Sequence, residues 1–203
     1  MKPSKPMVQM IRSFLVLFFK KEPLLSSATR HGPGAVPCRL IAGRAQISVG
    51  RMSALSMHSP VGDLTIFAED EEIVALDWGW GSVQEPSPVL LRAKAALEAY
   101  FDGEPLPDDL PLKPMGSAYR QKVWAALRAI PPGETRNYAE IAQVAGGSAR
   151  SVGGANAANP IPILIPCHRV VGSVGLGGYS GGEGLATKRA LLDIEKLAGA
   201  KNG

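Results

Sequence analysis

Residues 161–172, IPILIPCHRVVG, set a cysteine and a histidine side by side in an apolar run broken by two prolines. A cysteine attacks as the thiolate, and a free thiol with a pKa of about 8.5 holds only a few per cent of that form at neutral pH. A nucleophilic Cys167 therefore needs a base. His168 is adjacent, but isoleucine and proline favour extended backbone, in which neighbouring side chains point to opposite sides. A direct thiol–imidazole pair is not expected, and a bridging water or a local turn is required. A carboxylate enters from the last helical pattern, LATKRALLDIEKLAG, where Leu191, Ile194 and Ala198 define an inner face and Glu195 falls inside that arc. A histidine held in one tautomer by a carboxylate is a competent base, and His168 is the candidate partner. Plainer readings stand beside this relay. A lone buried cysteine is ordinarily a small inert hydrophobe, His168 a satisfied core histidine, and Glu195 a snorkelling side chain or the partner of Lys188 or Lys196.

The elements that must position these residues follow from periodicity. RQKVWAALRAI puts Val123, Trp124, Leu127 and Ile130 on one apolar stripe closed by PPGE. Asn137 can cap a second, short helix, with Glu140 completing a capping-box pair before Ile141, Ala142 and Val144. After the turn GGS, Ser148 can cap a third helix, ARSVGGANAA, and the two short helices have helix-turn-helix spacing. Gly153 and Gly154 each cost about 1 kcal/mol relative to alanine inside a helix. Such a helix, with Arg150 as its lone long side chain, is shaped either to press on something flat or grooved or to pack tightly on a neighbouring loop.

Upstream, ALSMHSP, DLTIFAE and IVALDWG are short β-leaning runs, the last two separated by Asp70, Glu71 and Glu72, which predicts an antiparallel hairpin or meander. SPVLLRAKAALEAYFDGE then predicts a helix with Leu90, Lys94, Leu97 and Phe101 on one side and Gly103 as its stop. The proline- and aspartate-rich EPLPDDLPLKPMG reads as a linker, with a domain boundary near Lys113. The division expected is a basic extension at 1–51, an N-terminal domain at 52–112, a C-terminal domain at 113–199 and a tail at 200–203.

Charge follows the same partition. Residues 1–51 carry nine basic and one acidic residue, net +8; residues 52–112 are net −10; residues 113–203 are net +6. A basic C-terminal third behind an acidic middle is the asymmetry expected if one part meets a polyanion, although solvated faces can differ without one. The apolar run MIRSFLVLFFKK is well short of the roughly 20 residues that span a bilayer, and no small-residue cleavage site follows it cleanly. Residues 1–51 are therefore read as lying outside the fold, with Met52 as a candidate start and a targeting segment as the alternative. Only two cysteines occur, Cys38 and Cys167, in unlike contexts, so a disulfide framework or a cysteine zinc site is not expected and a reducing cytoplasm is.

GETRNYAEIA, ARSVGGANAANP, PILIPCHRVVG and GYSGG, taken together, resemble the O6-alkylguanine-DNA alkyltransferases, the methylated-DNA–protein-cysteine methyltransferase family. The likeness runs from about Gly116 to Glu195, and its PCHRV core is specific. It implies an α+β/α fold: a ribonuclease-H-like N-terminal domain in mainly supporting role, then a mainly helical helix-turn-helix (winged-helix-like) domain. It also implies DNA repair in the cytoplasm by a monomer, without cofactor, metal or membrane. Its partner would be duplex DNA carrying O6-alkylguanine, and O4-alkylthymine in addition. Cys167 would take the alkyl group permanently, once, from a base flipped out of the duplex. His168 would accept the thiol proton through a water, Glu195 would fix the histidine, and Tyr138 would hydrogen-bond the purine as negative charge develops on it. Arg150 would fill the gap left in the stack, from the minor groove, while Gly153 and Gly154 let the helix approach the groove walls. Asn159 would tie this helix to the cysteine loop, Val170, Tyr179 and Ser180 would form the pocket wall and base-contacting loop, and Arg169 would make structural contacts. The chain departs from the family in GGSARS, shorter than the usual proline-containing turn, and in lacking the zinc-binding cysteine and histidine cluster of some relatives. It also lacks a second, regulatory methyl-accepting domain. The competing reading is a lesion-binding relative that does no chemistry, against which the presence of Cys167 argues; a cysteine hydrolase of unrelated fold is more remote.

Overall fold

The computed structural model describes residues 51–201, the last three by backbone alone. The expectations placed on residues 1–50, including Cys38, lie outside the described residues.

Three strands form an antiparallel meander: β1 (Met52–Met57), β2 (Leu64–Glu69) and β3 (Glu72–Trp78), in the order β1-β2-β3. Met57 pairs with Leu64 across the first turn and Glu69 with Glu72 across the second, with a bulge between Phe67 and Ala68. Alternation gives β2 a core face of Leu64, Ile66 and Ala68, all fully buried. Helix α1 (Pro88–Phe101) lies against this sheet, opened by Pro88, whose missing N–H is no loss in a first turn. Its buried face is Val89, Leu90, Ala93, Ala96, Leu97 and Tyr100. That corrects the expected face: Lys94 and Phe101 lie at its border, and Tyr100 points inward. The linker is not free chain. Ile73 N–H donates to Pro111 O and Lys113 N–H to Ile73 O, both at 2.8 Å, so Leu112 makes a parallel bridge to β3.

Helix α2 (Ala118–Arg128) is capped by the Ser117 hydroxyl and buries Val123, Trp124 and Leu127, with Ile130 just beyond its end. Asn137 and Glu140 form a full capping box for α3 (Tyr138–Ala145), and Ser148 with Ser151 forms another for α4 (Ala149–Ala157). Of the expected apolar residues of α3, Ile141 is buried but Val144 is 76% exposed. Between α3 and α4, Gly146 and Gly147 have φ of 83° and 87°, and a Cβ on Gly147 would sit 2.7 Å from the Tyr119 and Ser151 oxygens. Glycine there is required by both conformation and space.

Two short strands, β4 (Arg136–Asn137) and β5 (Val170–Val171), pair in parallel and join the start of α3 to the end of the cysteine loop. Helix α5 (Leu185–Lys201) closes the fold, burying Leu191, Leu192, Thr187, Lys188 and Glu195. One apolar core runs from the sheet through Trp124 and Ile161 to Cys167 and Leu191. Leu76 N–H also donates to Pro160 O, which ties β3 to the chain entering the cysteine loop.

Candidate active site

The chain around Cys167 is not the extended run expected from its prolines and isoleucines. Ile165 N–H closes a turn onto Ile161 O, and this places Ile163 at φ 72°, a left-handed conformation unusual for a β-branched residue. Pro166, at φ −79° and ψ 66°, then makes an inverse γ-turn in which Cys167 N–H donates to Ile165 O at 2.7 Å. Residues Cys167–Arg169 follow as one turn of 3-10 helix. The local turn is thus the alternative that the sequence allowed. It puts Cys167 and His168 on neighbouring corners of a tight helix, with no hydrogen bond between their side chains.

His168 is fully buried, and its Nε2 lies 2.7 Å from Glu195 Oε1. Arg169 brackets the same carboxylate: Nε is 3.0 Å from Oε2 and Nη2 is 2.9 Å from Oε1, while Nη1 donates to Ile130 O. Gly133 N–H adds a donor to Oε2 at 3.1 Å. Burial opposes the charge on Glu195, but the Nε2–H hydrogen bond of His168, then the hydrogen bonds and charge of Arg169, outweigh it and hold the carboxyl down at about 2. An ionised Glu195 accepts, so His168 carries its hydrogen on Nε2 and presents Nδ1 as a bare acceptor. Nδ1 has no hydrogen-bond partner among the described residues. Burial lowers His168, and the Arg169 and Lys188 charges add to this against the pull of Glu195, so the imidazole is neutral.

Burial pushes the Cys167 thiol up, opposed by the Asn159 amide, its own backbone N–H, the Lys188 charge and the Tyr179 hydroxyl. Two further buried atoms without hydrogen-bond partners join His168 Nδ1: Asn156 Oδ1 and the Tyr179 hydroxyl oxygen. Asn156 Nδ2 donates to Cys167 O, and Asn159 clamps the turn by donating to Ile165 O and accepting from Ile161 N–H. Tyr138, at the start of α3, is half-buried with its phenol pushed up by burial and by the nearby thiol. Its ring lies over Gly177, where a Cβ would come within 3.1 Å of it, and at 4.0 Å from the Cβ position of Gly153.

Of the residues singled out in the sequence, the fold gathers Cys167, His168, Glu195, Tyr138, Asn159, Val170 and Tyr179 in and around one buried turn. Arg150, Gly154 and Ser180 are exposed. Four contributors carry no such sequence reading. Asn156 is one. Tyr100 donates to Glu195 Oε1 at 2.9 Å. Lys188 is fully buried without a carboxylate partner and donates instead to the carbonyls of Val170, Leu176 and Gly178; burial lowers it to about 8. Trp78, the last residue of β3, meets the Tyr179 ring edge-on at 6.4 Å and covers Gly181, where a Cβ would fall 2.5 Å from the indole. Tyr100 was legible in helical spacing, since Leu90, Ala93, Leu97 and Tyr100 recur at three and four residues. Nothing local marks Lys188 or Trp78. No group of three metal-ligating side chains is placed to hold an ion among the described residues.

Fold and site together define a helical unit, with two short helices across a glycine turn, that buries a cysteine beside a histidine–carboxylate pair, carried behind a small sheet-and-helix domain. Residues 54–114 match the ribonuclease-like domain of 6-O-methylguanine DNA methyltransferase, and residues 118–197 match its DNA binding domain. The chain belongs to this family. It is 53% identical over 152 residues to a methylated-DNA–protein-cysteine methyltransferase of Mycobacterium bovis, covering 70% of this chain and 90% of that one. It is 40% identical over 155 residues to the constitutive enzyme of Bacillus subtilis, covering 70% and 93%. The crystal structure of the Mycobacterium tuberculosis protein OGT in complex with DNA superposes with a TM-score of 0.65 at 42% identity, over 72% of this chain and 94% of that chain.

Proposed function

We propose that this protein repairs duplex DNA by moving the alkyl group of O6-alkylguanine, and of O4-alkylthymine, onto Cys167, irreversibly and once per molecule. The observation that carries the reading is the buried thiol flanked by acceptors left without partners, above all His168 Nδ1 held in the accepting tautomer by Glu195. His168 Nδ1 takes the thiol proton through a bridging water. The sulfur attacks the alkyl carbon, the carbon–oxygen bond breaks, and its electron pair passes into the guanine ring system, where a donor at Tyr138 stabilises it. The products are a thioether and an unmodified guanine, which takes up a proton.

A buried thiol reaches only a base extruded from the stack. Arg150, exposed in the first turn of α4, is placed on this reading to fill the gap. Gly153 and Gly154 give α4 a low profile for the minor groove, and Val170, Tyr179 and Ser180 border the flipped base. The division into an N-terminal supporting domain at 52–112 and a DNA-binding domain at 113–199 belongs to the same proposal, as do action as a monomer and a cytoplasmic location.

Incubation with duplex DNA carrying O6-methylguanine tests the assignment by mass. The intact protein should gain one methyl group, the peptide containing Cys167 should carry it, and excess substrate should add no second. Lesion binding with unchanged mass would leave a binding module without chemistry.

A further inference from the structure

The inner end of α1 reaches the relay from the domain otherwise read as support. Tyr100 is 2% exposed, its hydroxyl donates to Glu195 Oε1 at 2.9 Å, and the phenol oxygen itself lies 3.4 Å from His168 Nε2. Packing does not ask for this hydroxyl. The ring meets Phe101 edge-on at 5.4 Å, a contact phenylalanine would make equally, and Glu195 is already fixed by Arg169 and Gly133. Taking a phenol out of water is unfavourable unless its hydrogen bond is well made, and here the bond goes to the oxygen that anchors the base.

We propose that Tyr100 is a positioning residue for the alkyl transfer: its hydroxyl shares the Glu195 oxygen that receives His168 Nε2–H and thereby sets how strongly the carboxylate holds that histidine. The inference rests on the alkyl-transfer reading. Each donor to Oε1 weakens that oxygen as an acceptor for the others. With Tyr100 bonded, an imidazolium is less favoured and His168 stays neutral with Nδ1 open. The charged groups facing His168 are Glu195 and Lys188 of α5 and Arg169 of its own turn, and the two cations act in the same direction as Tyr100. Without the hydroxyl, Glu195 draws harder on Nε2–H, and the histidine keeps its proton to higher pH. A cleft of about 220 Å³, lined by Tyr100 and Glu195 with Gly103, Glu104, Pro105 and Pro132, lies beside this contact. The carboxylate keeps its donors from Arg169 and Gly133, so the effect is partial.

The test is the single-turnover methyl-transfer rate of the full chain and its Tyr100→Phe variant across pH. The acid-side midpoint should move up by about half a pH unit, so the rate below that midpoint should fall roughly three-fold. Lesion affinity measured in the Cys167→Ser background should be unchanged. A wild-type rate, or a slower rate with an unmoved midpoint, overturns the proposal. Because deleting a buried hydroxyl can also disturb folding, 3-fluorotyrosine at position 100 provides a second arm. It keeps the packing, strengthens the donor and should move the midpoint down; an unmoved midpoint overturns the proposal there too. A wild-type protein that gains no mass on lesion DNA overturns both this role and the alkyl-transfer reading, whereas a wild type that transfers while the variants match it overturns only the role of Tyr100.

Discussion

Burial works on the two members of the reacting pair in opposite directions, pushing the Cys167 thiol up and the His168 imidazole down. The resting site is therefore neutral on both, and the nucleophile forms only as its proton moves. That suits a thiol used once, because a standing thiolate is the form most open to oxidation. Glu195 is the counterweight, the one ionised carboxylate against His168 and Arg169. Its carboxyl is held at about 2, below the ordinary 4.5, so it contributes stability that is present above pH 4.5 and lost as pH falls towards 2. His168, lowered from 6.5 by burial, adds to the loss in the same direction as pH drops below 6.5. Glu195→Gln should cost about 3–5 kcal/mol at pH 7, since it leaves the Arg169 guanidinium buried without its anion. Urea denaturation at pH 7 and pH 3.5 checks this: the gap between wild type and variant should narrow at the lower pH. A constant gap would show that the charge of Glu195 is not what the site depends on.

Helix α4 and the loop after β5 are shaped by what surrounds them. A Cβ on Gly153 would make only an ordinary contact with the Tyr138 ring, at 4.0 Å, and one on Gly154 would meet nothing within 4 Å. The glycine at 154 therefore gives up helix propensity without a packing reason inside the molecule, which points to a partner surface. Gly154→Leu should leave thermal stability unchanged or raise it by up to about 1 kcal/mol, while duplex affinity falls roughly ten-fold through lost close approach to the groove. Unaltered affinity by fluorescence anisotropy would move the DNA face elsewhere. The loop is held differently. Lys188 gathers two of its carbonyls, those of Leu176 and Gly178, together with that of Val170 in β5, and Trp78 covers Gly181, so α5 and β3 fix the segment from outside.

On the scale of the molecule, charge and architecture separate. The acidic 52–112 region supplies Tyr100 and Trp78 to the site, and the basic 113–203 region carries α3, α4 and the cysteine turn. A chain beginning at Met52 would carry net −4 in place of +4, yet keep both family-matched stretches. It should retain methyl transfer while binding undamaged duplex more weakly. Its residual binding should still fall by roughly ten-fold or more between 50 and 200 mM salt, because phosphate contacts release counterions. Loss of transfer would assign the first 51 residues a part in the reaction.

Local physics made much of this legible. Caps at Asn137 and Ser148, the stripe of α2 and the alternation of β2 each depend on neighbours within a few residues, and so does the need of a carboxylate inside the arc of α5 for a partner. What local pattern could not give is where the chain turns against its own propensity. The isoleucines and prolines before Cys167 favour extended backbone, but Asn159, the anchor at Ile161 and the core around Ile163 force a turn that no window of sequence specifies. In the same way Lys188 enters the sequence reading only as a possible partner of Glu195, whereas it binds carbonyls and Glu195 pairs with His168 and Arg169, and Tyr100 reads as one aromatic of a helix. Their partners lie 10 to 18 residues away for Lys188 and 95 for the Tyr100–Glu195 bond. The sequence by itself determined the elements, their caps and which side chains could do chemistry. The tertiary structure decided which of them share hydrogen bonds in one buried site, because burial and long-range pairing exist only once the chain has closed.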